Sequence, residues 1–110
     1  MSRSISALLG KHKGTSRINF NFDAIDRDTA VVVTAAEFQP QSGGPPFGDN
    51  FLTPGRPHLG AAPVYVTNIG PHGDTGEPGG VEFLLHVDSD DPVDVVVTIT
   101  ALGKIEQFNS

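Results

Sequence analysis

The sequence predicts an all-β protein, and three observations support this fold class. After residue 16, apolar and polar residues alternate with the two-residue period of a strand that buries one face. The 13 glycines and 9 prolines fall mostly between these segments, as turn residues do between short strands. Only one short segment has helical spacing, so no crossover helix joins the strands. We therefore expect an antiparallel β-sandwich or a small barrel.

The alternation predicts five strands and a short sixth. In "RINFNF", for example, every second residue is large and apolar, whereas "TAVVVTAAEF" is apolar on both faces, as in a central strand. Strands of this kind with turns between them are typical of an immunoglobulin-like or jelly-roll-like sandwich. The predicted strands are residues 17–22, 29–38, 62–69, 81–87, 93–102 and 104–108.

The two strands 81–87 and 93–102 are predicted to form a hairpin around the loop 88–92. In this register Val87 lies opposite Val93, and apolar residues pair with apolar residues along one whole face. Slipping one strand by a single residue would mix the two faces. On the other face the same register puts Leu84 opposite Val96 and His86 opposite Asp94.

The N-terminus is predicted to be a basic arm, residues 1–15, ahead of a sandwich domain, residues 16–110. Ile5, Leu8 and Leu9 have the i, i+3, i+4 spacing of a helix. A helix this short is unstable alone in water, because helices need about 12 residues. The arm must therefore dock on another surface.

Composition excludes several classes of partner. The net charge is -6, four of the seven basic side chains lie in the first 17 residues, and no acid precedes Asp23. An acidic body argues against nucleic acid, which needs clustered Lys and Arg. No apolar run approaches the roughly 20 residues of a membrane span.

Without a signal peptide the expected location is the cytoplasm, with export by a dedicated system or incorporation in a particle left open.

Apolar residues outside the predicted core are the candidates for binding a partner. Leu84 and Val96 would form an outward apolar pair, and such exposed area marks interaction sites. The long connection 39–60 carries two aromatic residues that need something to pack against. With the apolar residues of the arm, the candidate partner-binding residues are Ile5, Leu8, Leu9, Phe47, Phe51, Leu84 and Val96.

The candidate metal ligands are His86, Asp88, Asp90 and Asp94, around the acidic turn "DSDDP". Oxygen-rich clusters suit calcium better than zinc, because calcium takes about 6–8 hard oxygen ligands. The spacing lacks the glycine and the final glutamate of an EF-hand loop. The alternative is a solvated acidic turn that ends a hairpin.

The segment "GDNFLTPGRPH" resembles the second metal motif of cupins. In this resemblance Gly48 and Asp49 form the turn, Pro54 and Gly55 follow, and His58 is the metal ligand. The chain departs from the family in two respects. The proline-to-glycine spacing is one residue short, and the earlier His-x-His motif with its downstream glutamate is missing.

The glycine-rich stretch 70–80 has glycine at every third position from Gly70 to Gly79. Collagen helices accumulate their stability over many such triplets, so this short stretch is expected to be a loop between strands.

Three functional hypotheses remain. The first is a non-enzymatic sandwich that self-associates or docks on a protein partner, without a cofactor. The second is a calcium-dependent or carbohydrate-binding module that works through the acidic end 86–94. The third is a small cupin-like metal enzyme. The first is favoured, because the sequence has no Gly-x-Ser-x-Gly elbow and no phosphate-binding glycine loop.

Overall fold

The computed structural model describes residues 2–40 and 55–110, which form seven strands and no helix. The strands pair in two antiparallel sheets, a four-stranded one in the order β1-β7-β3-β4 and a three-stranded one in the order β2-β6-β5. The all-β prediction is confirmed, and the two sheets are consistent with a β-sandwich. The strands are β1 (Arg3–His12), β2 (Gly14–Asn21), β3 (Thr29–Pro40), β4 (Gly55–His58), β5 (Val64–His72), β6 (Gly80–Val87) and β7 (Val93–Lys104).

The core is built from one face of each sheet. Alternate residues of β6 and β7 are almost completely buried, and they join one apolar cluster with Phe22, Ile25 and Val33. Each such side chain contributes roughly 1.5–3 kcal/mol by leaving water. The two strands supply Val81, Phe83, Leu85, Val87, Val95, Val97 and Ile99 to this cluster.

The predicted hairpin between β6 and β7 is wrong. Val87 pairs with Gly14 and Val64, whereas Val93 pairs with His12, so the two strands belong to different sheets. The five residues 88–92 are long enough to cross the roughly 10 Å between packed sheets. The alternation identified the buried faces correctly, but it cannot distinguish pairing within a sheet from packing across a core.

The same correction separates the residue pairs predicted for the outer face of the hairpin. His86 pairs with Thr15 and Tyr65 in the three-stranded sheet. Asp94 pairs with Lys11 in the four-stranded sheet. His86 and Asp94 are therefore not partners, and neither are Leu84 and Val96.

The predicted N-terminal helix is also wrong, because the segment forms β1 along the edge of β7. Ile5, Ala7 and Leu9 are partly buried against the core at two-residue spacing. A bulge in the pairing with β7 follows Leu8, and Gly10 within it has φ 81°. Glycine adopts this conformation without strain. Pairing with the long strand β7 provides backbone hydrogen bonds that outweigh the preference of a single helical turn.

The other strand predictions hold with shifted ends. β7 continues to Lys104, and residues 105–110 contain no strand, so the predicted sixth strand 104–108 is not formed. Within the connection 39–60 the structure contains a short strand, β4, which pairs with the end of β3.

At one end of the molecule, the loops 22–28 and 73–79 close over each other. The amide of Phe22 donates to the carbonyl of Gly79 (2.9 Å), and the amide of Arg27 donates to the carbonyl of Gly73 (3.2 Å). Of the glycine-rich stretch, residues 70–72 belong to β5 and Gly80 begins β6, so the predicted loop is shorter and covers residues 73–79. The opposite end carries the turn 88–92.

Candidate functional site

The outer surface of the four-stranded sheet has a region without charged side chains, here called the uncharged face. Three rows of residues cross β1, β7 and β3 in register. Their side chains alternate with the buried ones and therefore point away from the core. Leu102 of β7 extends the region by one further position. The face comprises Ser4, Ser6, Leu8, Val32, Thr34, Ala36, Val96, Thr98, Thr100 and Leu102.

The hydroxyl groups at the centre of this face are paired with one another. Ser4 Oγ lies 2.9 Å from Thr100 Oγ1, and Ser6 Oγ lies 2.9 Å from Thr98 Oγ1. Each pair satisfies one donor and one acceptor within the chain. Removing these hydroxyls from water therefore costs less than removing unpaired ones.

Large apolar side chains stand on the same face. Leu8 is 55% exposed, Val32 45% and Leu102 51%. Val96 is only 6% exposed, because Leu8 and Ala36 flank it across the sheet. Leu8 lies beside Val96 at one end of the face, and Val32 and Leu102 lie at the other end, with the hydroxyl pairs between them. Exposed apolar side chains grouped on one face are a feature of interaction surfaces.

Ion pairs border the uncharged face at both ends. Lys11 Nζ lies 3.3 Å from Asp94 Oδ2 beyond Leu8 and Val96. At the other end, Lys104 Nζ lies 3.9 Å from Asp26 Oδ2. A surface that is free of charge in the middle and charged at its rim is common in protein interfaces, where charged residues are depleted from the core.

The structure separates the predicted partner-binding residues into several places. Leu8 and Val96 are neighbours on the uncharged face. Ile5 and Leu9 are on the opposite side of β1 and pack against the core. Leu84 belongs to the outer surface of the three-stranded sheet, between Arg17 and Thr67. Phe47 and Phe51 lie outside the described residues.

The predicted metal ligands are divided between the two sheets. His86 lies on the outer surface of the three-stranded sheet, where its ring nitrogens lie 3.1 Å from Thr15 Oγ1 and 2.7 Å from Thr67 Oγ1. Asp94 lies on the other sheet, beside Lys11. Asp88 and Asp90 belong to the connection between the sheets. Over residues 2–40 and 55–110 no group of three His, Asp or Glu side chains could hold a metal ion.

The cupin-like motif is only partly described. Gly55 and His58 are the two ends of β4, and the His58 side chain is exposed. Gly48, Asp49 and Pro54 lie outside the described residues. His58 and His72 lie toward opposite ends of the molecule.

An acidic cleft of about 570 Å³ lies between the loops 22–28 and 73–79. The amide of Asp28 (2.8 Å) and the hydroxyl of Thr29 (3.1 Å) donate to Asp26 Oδ1, and they lower the pKa of Asp26 below its ordinary value. The amide of Thr75 (2.9 Å) and the Arg27 guanidinium (3.1 Å) likewise lower the pKa of Asp74. The Asp26 carboxylate therefore fixes the loop 22–28 internally, whereas Asp74 joins the two loops through Arg27.

The serine and threonine pairs of the uncharged face were missed from the sequence. The signal was the alternation of Ser4 and Ser6 in the N-terminal segment, matched by Thr98 and Thr100 near the C-terminus. The sequence alone does not show that these residues face each other, because their contact follows from the pairing of β1 with β7.

Comparison with protein-family models, curated proteins and solved structures finds no match to this chain. Among residues 2–40 and 55–110 there is no helix with the length and apolar character needed to cross a membrane.

Proposed function

We propose that this chain is a non-enzymatic assembly protein, which self-associates through the uncharged face of the four-stranded sheet. The observation that carries this proposal is the combination of exposed Leu8, Val32 and Leu102 with hydroxyls that are already paired. Burying this face removes apolar area from water and leaves few polar groups without partners.

Charge favours the uncharged face as the surface through which two copies of the chain meet. The chain has a net charge of -6, so most approaches between two copies bring carboxylates together. The uncharged face avoids this repulsion. A surface that meets itself across a two-fold axis closes the assembly at two chains, the commonest form of homo-oligomer.

The size of the face indicates that the association is weak. It extends about 20 Å along β7 and about 15 Å across three strands, or on the order of 300 Å² in projection. Stable complexes bury about 800 Å² per partner. We therefore expect a dissociation constant of about 10 µM to 1 mM.

The strand connections support a jelly-roll-like sandwich as the scaffold of this function. The consecutive strands β1 and β2 pair with the consecutive strands β7 and β6, one pair in each sheet. Both ends of the chain thus contribute to the uncharged face, which needs the complete fold in order to form.

Light scattering over a concentration series from about 10 µM to 1 mM tests the proposal. The mass of wild type should rise from 11.6 kDa toward twice that value. Thr34→Lys places an ammonium group in the middle row of the face, beside Thr98, and should keep the single-chain mass at every concentration. Burying an unpaired charge in an interface is strongly unfavourable.

Asn21→Lys is the matched control, because it adds the same charge to an exposed position of β2 in the other sheet. This variant should associate like wild type. A single-chain mass for wild type over the whole series would contradict the proposal. So would equal association of wild type and Thr34→Lys, with folding of both variants checked by circular dichroism.

A further inference from the structure

A groove of about 480 Å³ lies on the outer surface of the three-stranded sheet, on the side of the molecule opposite the uncharged face. It is formed where β5 departs from regular pairing with β6 between Thr67 and Gly70. Asn68, in this bulge, has φ 56°, a left-handed conformation that few non-glycine residues adopt. Bulges and conformations of this kind are found preferentially beside functional sites.

The polar groups along the groove are arranged side by side. Arg17 Nε donates to Glu82 Oε2 (2.9 Å), and Arg17 Nη2 lies 2.7 Å from the same oxygen. Both contacts use Oε2, so Glu82 Oε1 and Arg17 Nη1 remain open to a ligand among the described residues. His72 Nε2 lies 2.7 Å from Asn19 Oδ1, which fixes the imidazole at the other end of the groove.

An aromatic platform lies beside the groove. Tyr65 and His86 stack with ring centroids 4.7 Å apart and an angle of 13° between their planes. The two ring nitrogens of His86 contact Thr15 and Thr67, and these contacts hold the ring in place. Tyr65 itself remains 49% exposed. The platform is two residues along β6 from Leu84 of the groove, or about 7 Å away.

We infer that this groove and platform bind a neutral saccharide. Arg17 and Glu82 compensate each other's charge, so the groove does not select an anion. The open donor of Arg17 and the open acceptor of Glu82 lie next to each other, which suits adjacent sugar hydroxyls that both donate and accept. The exposed ring of Tyr65 offers a flat apolar surface for the C–H face of a sugar ring.

The backbone arrangement disfavours a peptide as the ligand. Peptides that bind sheets usually add a strand to a free edge and pair with its backbone. The groove lies over β6, whose backbone is already paired with β2 on one side and β5 on the other. Recognition there must come from side chains, and those present are mainly planar polar groups, with Pro71 and Leu84 as the aliphatic residues.

Nuclear magnetic resonance titration of the intact protein with neutral oligosaccharides tests this inference, with cello-, xylo-, manno- and malto-oligosaccharides as probes. At least one probe should shift the amide signals of Tyr65, Gly70 and Glu82 at millimolar concentration. Tyr65→Ala and Glu82→Gln should each weaken binding of that probe about tenfold or more. Tyr65→Phe, which keeps the ring, should weaken it much less than Tyr65→Ala.

Thr34→Lys is the control, because it changes only the uncharged face and should leave saccharide binding unaltered. The outcome is therefore independent of the proposed self-association. No shift with any probe at about 10 mM would overturn the inference. Equal affinity of wild type and Tyr65→Ala, or shifts produced by inorganic phosphate alone, would overturn it as well.

Discussion

The carbonyl oxygen of Ile25 occupies the place where a side chain on Gly79 would begin. A Cβ built on Gly79 would overlap this oxygen, and the carbonyl of Phe22 lies close by. The contact brings the loop 73–79 down onto the loop 22–28, next to the buried side chains of Phe22 and Ile25. Here the glycine-rich stretch serves close backbone packing.

We predict that Gly79→Ala lowers the free energy of unfolding by about 3 kcal/mol, because the two loops must separate to admit the methyl group. Gly70→Ala is the matched control. A Cβ at Gly70 meets nothing within 4 Å, and its φ is not in the left-handed region. Urea denaturation measures both variants. Equal effects of the two substitutions would show that the loops are not in contact at Gly79.

The pairing of β1 with β7 predicts a specific disulfide in a chain that has no cysteine. Ser6 and Thr98 are register partners, and their hydroxyls are 2.9 Å apart. Cysteines placed at both positions should oxidise to an intramolecular disulfide, since facing residues of paired strands have suitable separations.

The control variant carries cysteines at Glu82 and Thr98 instead, because the predicted hairpin would have made these two residues partners. These residues lie on the outer surfaces of different sheets, about 10 Å apart in backbone position, beyond the reach of a disulfide. Oxidation followed by mass spectrometry shows which of the two variants forms an intramolecular disulfide. A disulfide in the Glu82/Thr98 variant, with none in the Ser6/Thr98 variant, would support the hairpin and contradict the observed pairing.

Asp26 should contribute a pH-dependent part of the stability. Hydrogen bonds from the Asp28 amide and the Thr29 hydroxyl hold its pKa below 3.8. Because the folded-state pKa is lower than the unfolded one, the contribution is complete above the unfolded value and is lost as the pH falls through the folded value.

The test compares the free energy of unfolding of wild type with that of Asp26→Asn, which lacks the charge. Wild type should be more stable at about pH 6, and its advantage should shrink as the pH falls below about 4. Urea denaturation at a series of pH values measures this difference. A difference that stays constant from about pH 6 to pH 3 would show that the charge of Asp26 has no part in stabilising the loop 22–28.

Removing residues 2–12 distinguishes a strand from a separate arm. The deletion exposes one edge of β7 and uncovers the core beside Ile5, Ala7 and Leu9. We expect loss of the cooperative unfolding transition, as measured by thermal melting. A shortened chain that melts cooperatively at the wild-type temperature would support an arm that is independent of the domain.

Much of the fold could be predicted from local alternation. Val81, Phe83 and Leu85 were assigned to a buried face, and the structure places them in the core. The two-residue period fixes which side chains share a face, because successive side chains of a strand point in opposite directions. It does not fix which strand lies beside which, so the partners of β6 and β7 were wrong.

The candidate site was harder to predict, because it depends on contacts between distant parts of the chain. Leu8 and Val96 were each proposed for partner binding, but on separate surfaces. Their adjacency follows from the pairing of the two terminal segments. The helical spacing of Ile5, Leu8 and Leu9 also disguised β1, because it hid the strand alternation in which Ile5, Ala7 and Leu9 pack against the core.

The proposed self-association requires a second copy of the chain to cover the uncharged face. The most direct measurement is the solvent accessibility of methyl groups, read from their relaxation by a soluble paramagnetic agent at about 1 mM protein. The methyl groups of Leu8, Val32 and Leu102 should be protected in wild type and accessible in Thr34→Lys, while those of Leu59, 96% exposed, stay accessible in both. The proposed self-association would be contradicted if the methyl groups of Leu8, Val32 and Leu102 were as accessible in wild type as in Thr34→Lys.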